Sequence, residues 1–177
     1  MSTRILDALT TVGTHAVGAL NSWKIEVLQN GAEVITANID NFTIGELGFD
    51  GATGARTVKQ LSANATVGVL VAAPERRYID GEQLSDFYNA IGDLARVVYL
   101  KKGLHFETSA YSKNAGVTTL SNGMGAHFDV ATKKFIVAAS GTPHTDYALA
   151  GTKYVLIETE DELTSIDGQK VIRLEVL

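Results

Sequence analysis

The sequence predicts a mainly β fold, a β-sandwich or barrel-like sheet, with α+β character from one helix at about 81–92. Three observations predict it. Short stretches that alternate apolar and polar residues recur along the chain, most bounded by Gly, Asn, Asp or Pro. β-Branched and aromatic residues concentrate in those stretches. One segment alone, Leu84 to Ile91, spaces its apolar residues convincingly as a helix does. The 177 residues, 45% apolar and 20% charged, have an ordinary globular composition. A domain of this size buries roughly 70% of the surface its unfolded chain exposes, so it can fold without a metal or a disulfide.

Residues 1–21 read as an N-terminal arm and 22–177 as a single β-rich domain. In the arm Ile5, Leu6 and Leu9 have helical spacing. The β-branched Thr10, Thr11, Val12 and Thr14, with Gly13 and Gly18, then weaken a helix, which leaves a short turn and an extended stretch. Next, Trp23, Ile25 and Val27 share one face, with Lys24 and Glu26 opposite. Asn30-Gly31 tolerates the positive φ of a tight turn, and Ala32–Ile39 continues as a strand, so this region reads as a hairpin.

Residues 40–56 read as a loop, because Gly45, Gly48, Gly51 and Gly54 recur at every third position. Two strands are expected over Thr57–Ala63 and Thr66–Ala73, the second ended by Pro74. Asp80 and Gln83 have the spacing of a capping box. Leu84, Phe87, Tyr88 and Ile91 then form one apolar stripe, and Gly92 is placed to stop the helix. Strands follow at Ala95–Leu100 and Leu104–Ala110, joined by a turn at Lys101-Lys102-Gly103. Lys113–Gly125 reads as a loop or loose hairpin. Shorter strands are expected at Ala126–Val130, Lys134–Ala138, Lys153–Ile157 and Lys170–Val176.

Composition excludes several kinds of chemistry. With no cysteine there is no disulfide, no thiolate metal site and no cysteine nucleophile. Met1–Asp7 carries no apolar core of a secretory signal. No run approaches the roughly 20 apolar residues of a spanning helix. A soluble protein made in the cytosol, with no membrane partner, is the expectation. The net charge of −5 opposes approach to a phosphate backbone. Arg76-Arg77 and Lys101-Lys102 are too short to track one, and the dispersed aromatics lack the interleaved cations of a base-stacking platform. Nucleic acid is therefore not an expected partner.

No catalytic, cofactor-binding or metal-ligating set emerges. His15, His105, His127 and His144 include no pair at the i,i+4 spacing of a helical metal site. His127 and Asp129, like His144 and Asp146, are two residues apart. On a strand such a pair shares a face, and an orienting hydrogen bond becomes possible. A hydrolase using His127 and Asp129 is the sharpest enzymatic reading, and exposed histidines without a role are the preferred one. There is no G-x-S-x-G elbow, and no helix follows Ser140-Gly141. The carboxylates Glu158, Glu160, Asp161 and Glu162 read as a solvated loop, since they lack the order of a calcium loop. The glycine series ends in Ala55-Arg56-Thr57, where a phosphate loop needs Gly-Lys-Ser/Thr. The protein is expected not to be an enzyme.

Several segments carry a resemblance: Thr10–His15, Asn38–Thr43, Glu82–Asn89, Phe106–Ala110, Ala126–Asp129 and Lys133–Phe135. Through them the chain resembles small virion proteins encoded among the head-assembly genes of tailed phages. The resemblance implies a capsid decoration, or cement, protein, found on the virion surface after synthesis in the bacterial host cytoplasm. It implies the major capsid protein as partner and a homo-oligomer on the particle. It assigns no site residue. Alternatives are a tail or neck component, or a β-barrel that binds a small molecule. The arm and the glycine-rich segment 45–54 are the expected reaching parts.

Overall fold

The computed structural model describes residues 15–74, 84–165 and 168–177. Its strands are β1 (Gly18–Leu20), β2 (Ala32–Val34), β3 (Ile39–Asp40), β4 (Thr43–Phe49), β5 (Arg56–Gln60), β6 (Val69–Val71), β7 (Tyr88–Asn89) and β8 (Leu94–Ala95). They continue with β9 (Val97–Tyr99), β10 (His105–Thr108), β11 (Tyr111–Lys113), β12 (Gly125–Asp129), β13 (Lys134–Ala138), β14 (Lys153–Glu158) and β15 (Ile172–Val176). Two short 3-10 turns span Leu84–Asp86 and Thr145–Tyr147. The fold is mainly β, as the alternation predicts.

One sheet has seven strands in the order β1-β10-β15-β14-β12-β13-β11. β15 shows how the sequence builds it. Ile172, Leu174 and Val176 are buried, while Arg173 and Glu175 between them are only partly covered, because successive side chains on a strand point to opposite faces. Phe106, Ala126, Phe128, Phe135, Val137, Tyr154 and Leu156 complete the inner face. Their rings meet edge-on, Phe135 lying perpendicular to Tyr154 with centroids 5.1 Å apart, an arrangement the ring quadrupoles favour.

The second sheet has six strands in the order β8-β2-β5-β4-β6-β9. Its two edge strands are nearly continuous in the chain, since only Arg96 separates Ala95 from Val97. β8 pairs with β2, and β9 pairs with β6. The sheet therefore curls almost shut into a small barrel. Its interior holds Ala32, Val34, Ile39, Val58, Val69, Val71, Ala95 and Val97. Small β-branched residues suit so tight a cylinder. Leu70 and Val98 alternate with them and point outward, where they join Phe42, Ile44 and Leu61 against the seven-stranded sheet. The molecule is thus a barrel packed on a sheet, which combines the two architectures expected from sequence.

Three local expectations are corrected. No helix spans 84–92, and residues 81–83 of that expected helix lie outside the described residues. Ser85, Asp86, Phe87, Tyr88 and Asn89 are all buried in succession, which one face of a helix cannot achieve. The chain instead extends, and Tyr88 and Asn89 pair with Asp40 and Ile39. Ile91, assigned to the apolar stripe, is 58% exposed. Tertiary pairing has overridden local spacing.

The 23–39 hairpin is also absent. Asn30 and Gly31 do have positive φ, 66° and 70°, and the Gly31 N–H donates to the Leu28 carbonyl. The flanking segments part company, however. Leu28 and Glu26 bond to Val97 and Tyr99, while β2 lies parallel to β5.

The glycine-rich segment is not a loop over its first half, because β4 runs through Gly45 and Gly48. A side chain at Gly45 would lie 2.6 Å from Val58 Cγ2 and 3.1 Å from Val71 Cγ2. The glycine leaves room for barrel valines. Only Asp50–Ala55 turns, with the Asp50 carboxylate accepting from the N–H groups of Ala52 and Thr53.

The described part of the N-terminal segment packs at home. Ala16 and Val17 are buried, β1 pairs with β10, and His15 Nδ1 lies 2.6 Å from an Asp40 carboxylate oxygen. Residues 1–14 lie outside the described residues, as do Arg76 and Arg77.

Candidate functional site

Two surface features stand out from the fold, one on the rim and one on the outer face of the seven-stranded sheet. The rim feature follows from the failed hairpin. Because 23–28 does not pair with 32–39, Trp23 stands clear of both layers and is 105% exposed. It borders a groove of about 580 Å³ whose other walls include Tyr99, Lys101, Lys102 and His105. Lys101 Nζ sits 2.9 Å from Glu26 across it. The Lys101-Lys102-Gly103 turn forms as expected, closed by a hydrogen bond from Leu104 N–H to the Lys101 carbonyl.

On the outer face, Ala126 and Phe128 point into the core, so His127 between them points away from it. It is nonetheless fully buried, at 0% exposure. The turn Thr145–Tyr147 lies over it. The His144 ring stacks on His127 with centroids 4.9 Å apart and planes 30° from parallel, and Tyr147 meets His127 edge-on at 6.2 Å. Tyr147 can settle there because Gly125 offers no side chain, its missing Cβ lying 3.2 Å from the ring. An apolar cavity of about 240 Å³ adjoins the stack, lined by Ala138, Pro143, Tyr147, Tyr154 and Val155 among others.

Among the described residues, neither ring nitrogen of His127 has a hydrogen-bond partner. A neutral imidazole always carries one N–H and one lone pair, and leaving such a group unmatched in the interior costs about 1–3 kcal/mol. Burial lowers the His127 pKa, and the neighbouring His144 lowers it further. His144 Nδ1 accepts from the Asp146 N–H at 3.2 Å, and an Asp146 carboxylate oxygen lies 3.8 Å from the same nitrogen. One ligand atom from each of His127, His144 and Asp146 lies within 4.8 Å of the others.

The sequence pairs are therefore rearranged. His127 and Asp129 make no orienting hydrogen bond. The Asp129 carboxylate is instead committed to the next turn, accepting from Thr132 N–H at 2.9 Å and Thr132 Oγ1 at 2.7 Å. Those bonds outweigh burial, which pushes its pKa up, and the carboxyl stays below its ordinary value. His127 is also not the exposed histidine expected. His105 is the more open one, 3.2 Å from Glu175. The grouping of His127 with His144 and Asp146 was missed because no local spacing connects a strand residue to a turn that folds back over it.

Asp161 and Glu162 of the acidic run are exposed, as expected of a solvated loop, but its carboxylates are partnered. Glu158 accepts from Arg173 Nη1 at 2.6 Å. Glu160 lies 2.7 Å from Lys113 Nζ and accepts from the Tyr111 hydroxyl. Asp161 accepts from Lys170 at 3.0 Å, and Glu162 accepts from the Thr159 N–H at 2.8 Å. Each carboxylate already has a protein partner, which leaves no ready calcium cage.

Barrel, sheet, bare aromatic rim and roofed histidine define a mainly β protein. The chain belongs to the YonC prophage protein family, which matches residues 11–177. It is 47% identical over 178 residues to the SPbeta prophage-derived uncharacterized protein YonC of Bacillus subtilis (strain 168), a match that covers 100% of this chain and 99% of the relative. No solved structure matches it. Among the described residues, no helix is long and apolar enough to cross a membrane.

Proposed function

We propose that this chain is a structural protein of the phage particle, a decoration protein that binds the outside of the head through the major capsid protein and stabilises the shell. Trp23 carries the reading. A wholly exposed tryptophan gives up much favourable burial in the free protein, and tryptophan is the residue type most enriched where a few contacts dominate an interface. The groove beside it supplies the mixed polar and apolar rim that such interfaces use.

Other features support the same reading. Membership of a prophage protein family fits a particle component. A net charge of −5 suits the outer surface better than contact with packaged DNA. Valines and alanines fill the barrel interior, which argues against a carrier that would hold a small molecule there. On the particle the protein acts as a homo-oligomer, after synthesis in the host cytoplasm.

The test mixes purified protein with heads that lack it. Co-sedimentation and a higher rupture temperature are the expected results. Trp23→Ala should weaken binding by roughly 30-fold or more, the scale of a dominant interface residue. Protein that stays in the supernatant and leaves the rupture temperature unchanged would sink the proposal. Protein that pellets with tails and not with heads would replace it by a tail or neck role.

A further inference from the structure

The stacked histidines point to a ligand of their own. We infer that His127, His144 and Asp146 bind one divalent transition cation of the zinc class. Two imidazoles and a carboxylate present ligand atoms that all lie within 4.8 Å of one another. Zinc sits roughly 2.0–2.2 Å from such donors and takes the in-plane lone pair of an imidazole, so the stacked His127 and His144 rings turn relative to each other for one ion to reach all three. The independent observation is His127 itself. Among the described residues its two buried nitrogens have no hydrogen-bond partner, while the residue is 0% exposed and stacked against His144. A cation on its lone pair would satisfy that orphaned acceptor.

Chemistry narrows the ion. Two nitrogen donors with one carboxylate suit zinc, nickel, copper or iron, whereas calcium and magnesium prefer all-oxygen shells. His144 and Asp146 are partly exposed, their side chains 27% and 42% open, so the ion enters from solvent. The Asp146 N–H now bonded to His144 Nδ1 would yield that lone pair to the metal. Lys153 is a cation close by, its Nζ 5.4 Å from the Tyr147 ring centroid. Three protein ligands leave a fourth position for water or for a donor from another molecule. Because His127 belongs to β12 and the other two ligands to the turn above it, the ion would clamp that turn onto the sheet.

The experiment uses the full chain stripped with a chelator and then freed of the chelator. Titration calorimetry with zinc should give one site per chain, and cobalt should give the visible absorption of a low-symmetry, four-coordinate site. Zinc should raise the melting temperature, while magnesium and calcium should not. His144→Ala and Asp146→Asn replace partly exposed side chains. Each should fold with the circular dichroism of the parent and bind zinc at least roughly ten-fold more weakly. Absence of stoichiometric binding in the parent overturns the inference. So does binding that survives unchanged in the double variant, since the ion would then sit elsewhere.

Discussion

The Arg173 guanidinium donates twice to one oxygen of Glu107, from Nε at 3.2 Å and from Nη2 at 2.7 Å. Register puts them there, because Arg173 is the direct partner of Glu107 between β15 and β10. Glu158 of β14 holds the remaining arm of the fork, and the Asn21 side-chain amide caps the same Glu107 oxygen at 2.9 Å. Three strands and the chain just beyond β1 are thereby tied across the outer face.

Arg173→Met should therefore destabilise the protein by about 1–3 kcal/mol. That is below the range for a fully buried pair, because the side chains of Arg173 and Glu107 remain 24% and 15% exposed. Urea unfolding measures it. A double-mutant cycle with Glu107→Gln should return a coupling of roughly 0.5–2 kcal/mol. Strict additivity would show that the contact contributes nothing.

Gly45→Ala should cost about 1–3 kcal/mol by overpacking the barrel against Val58 and Val71. Gly51→Ala provides the contrast. A methyl there meets nothing within 4 Å, so its stability should stay within about 0.5 kcal/mol of the parent. Equal losses at both positions would contradict a barrel filled as described.

Acid should unfold the protein partly through Glu160. Hydrogen bonds from Lys113 and then Tyr111 hold its pKa below 4.5. Its folded pKa is depressed, so the unfolded chain binds the proton more readily. The stabilisation is full above the unfolded value and is lost as pH falls through the folded one. Tyr111→Phe removes one of those bonds and should flatten the stability–pH curve below about pH 4.5. A curve unchanged in shape would count against the linkage. The same pair raises the Tyr111 pKa, through burial first and then Glu160, so its phenolate band should be missing at alkaline pH where ordinary tyrosines ionise.

Trp23 is the only tryptophan in the chain, so its fluorescence reports one place. Full exposure predicts emission like that of indole in water and collisional quenching close to that of the free amino acid. Trp23→Ala should leave folding stability within about 0.5 kcal/mol of the parent, because the side chain is fully exposed among the described residues. A blue-shifted, protected tryptophan in the isolated protein would contradict that exposure.

Strand patterning announced five strands of the seven-stranded sheet, β10 and β12 to β15, close to where residues such as Phe106, Phe128 and Leu174 place them, while β1 and β11 went unannounced. That signal is legible where a strand buries only one side, as β10 and β15 do. The barrel was harder to read. Val69, Leu70 and Val71 are all buried, on two different sides, so no alternation survives there. Leu84, Phe87, Tyr88 and Ile91 mimicked a helix because spacing cannot reveal that Ile39 and Asp40 wait as strand partners.

By itself the sequence determined a cysteine-free, β-rich chain with a tight turn at Asn30-Gly31 and an amphipathic last strand, since these depend on neighbours a few residues away. Only the tertiary structure decided that the 26–28 segment joins β9, that the glycine segment enters a barrel, and that His144 folds over His127. Each of those outcomes hangs on long-range packing. Such contacts carry most of the free energy of burial while leaving no periodic trace in the order of residues.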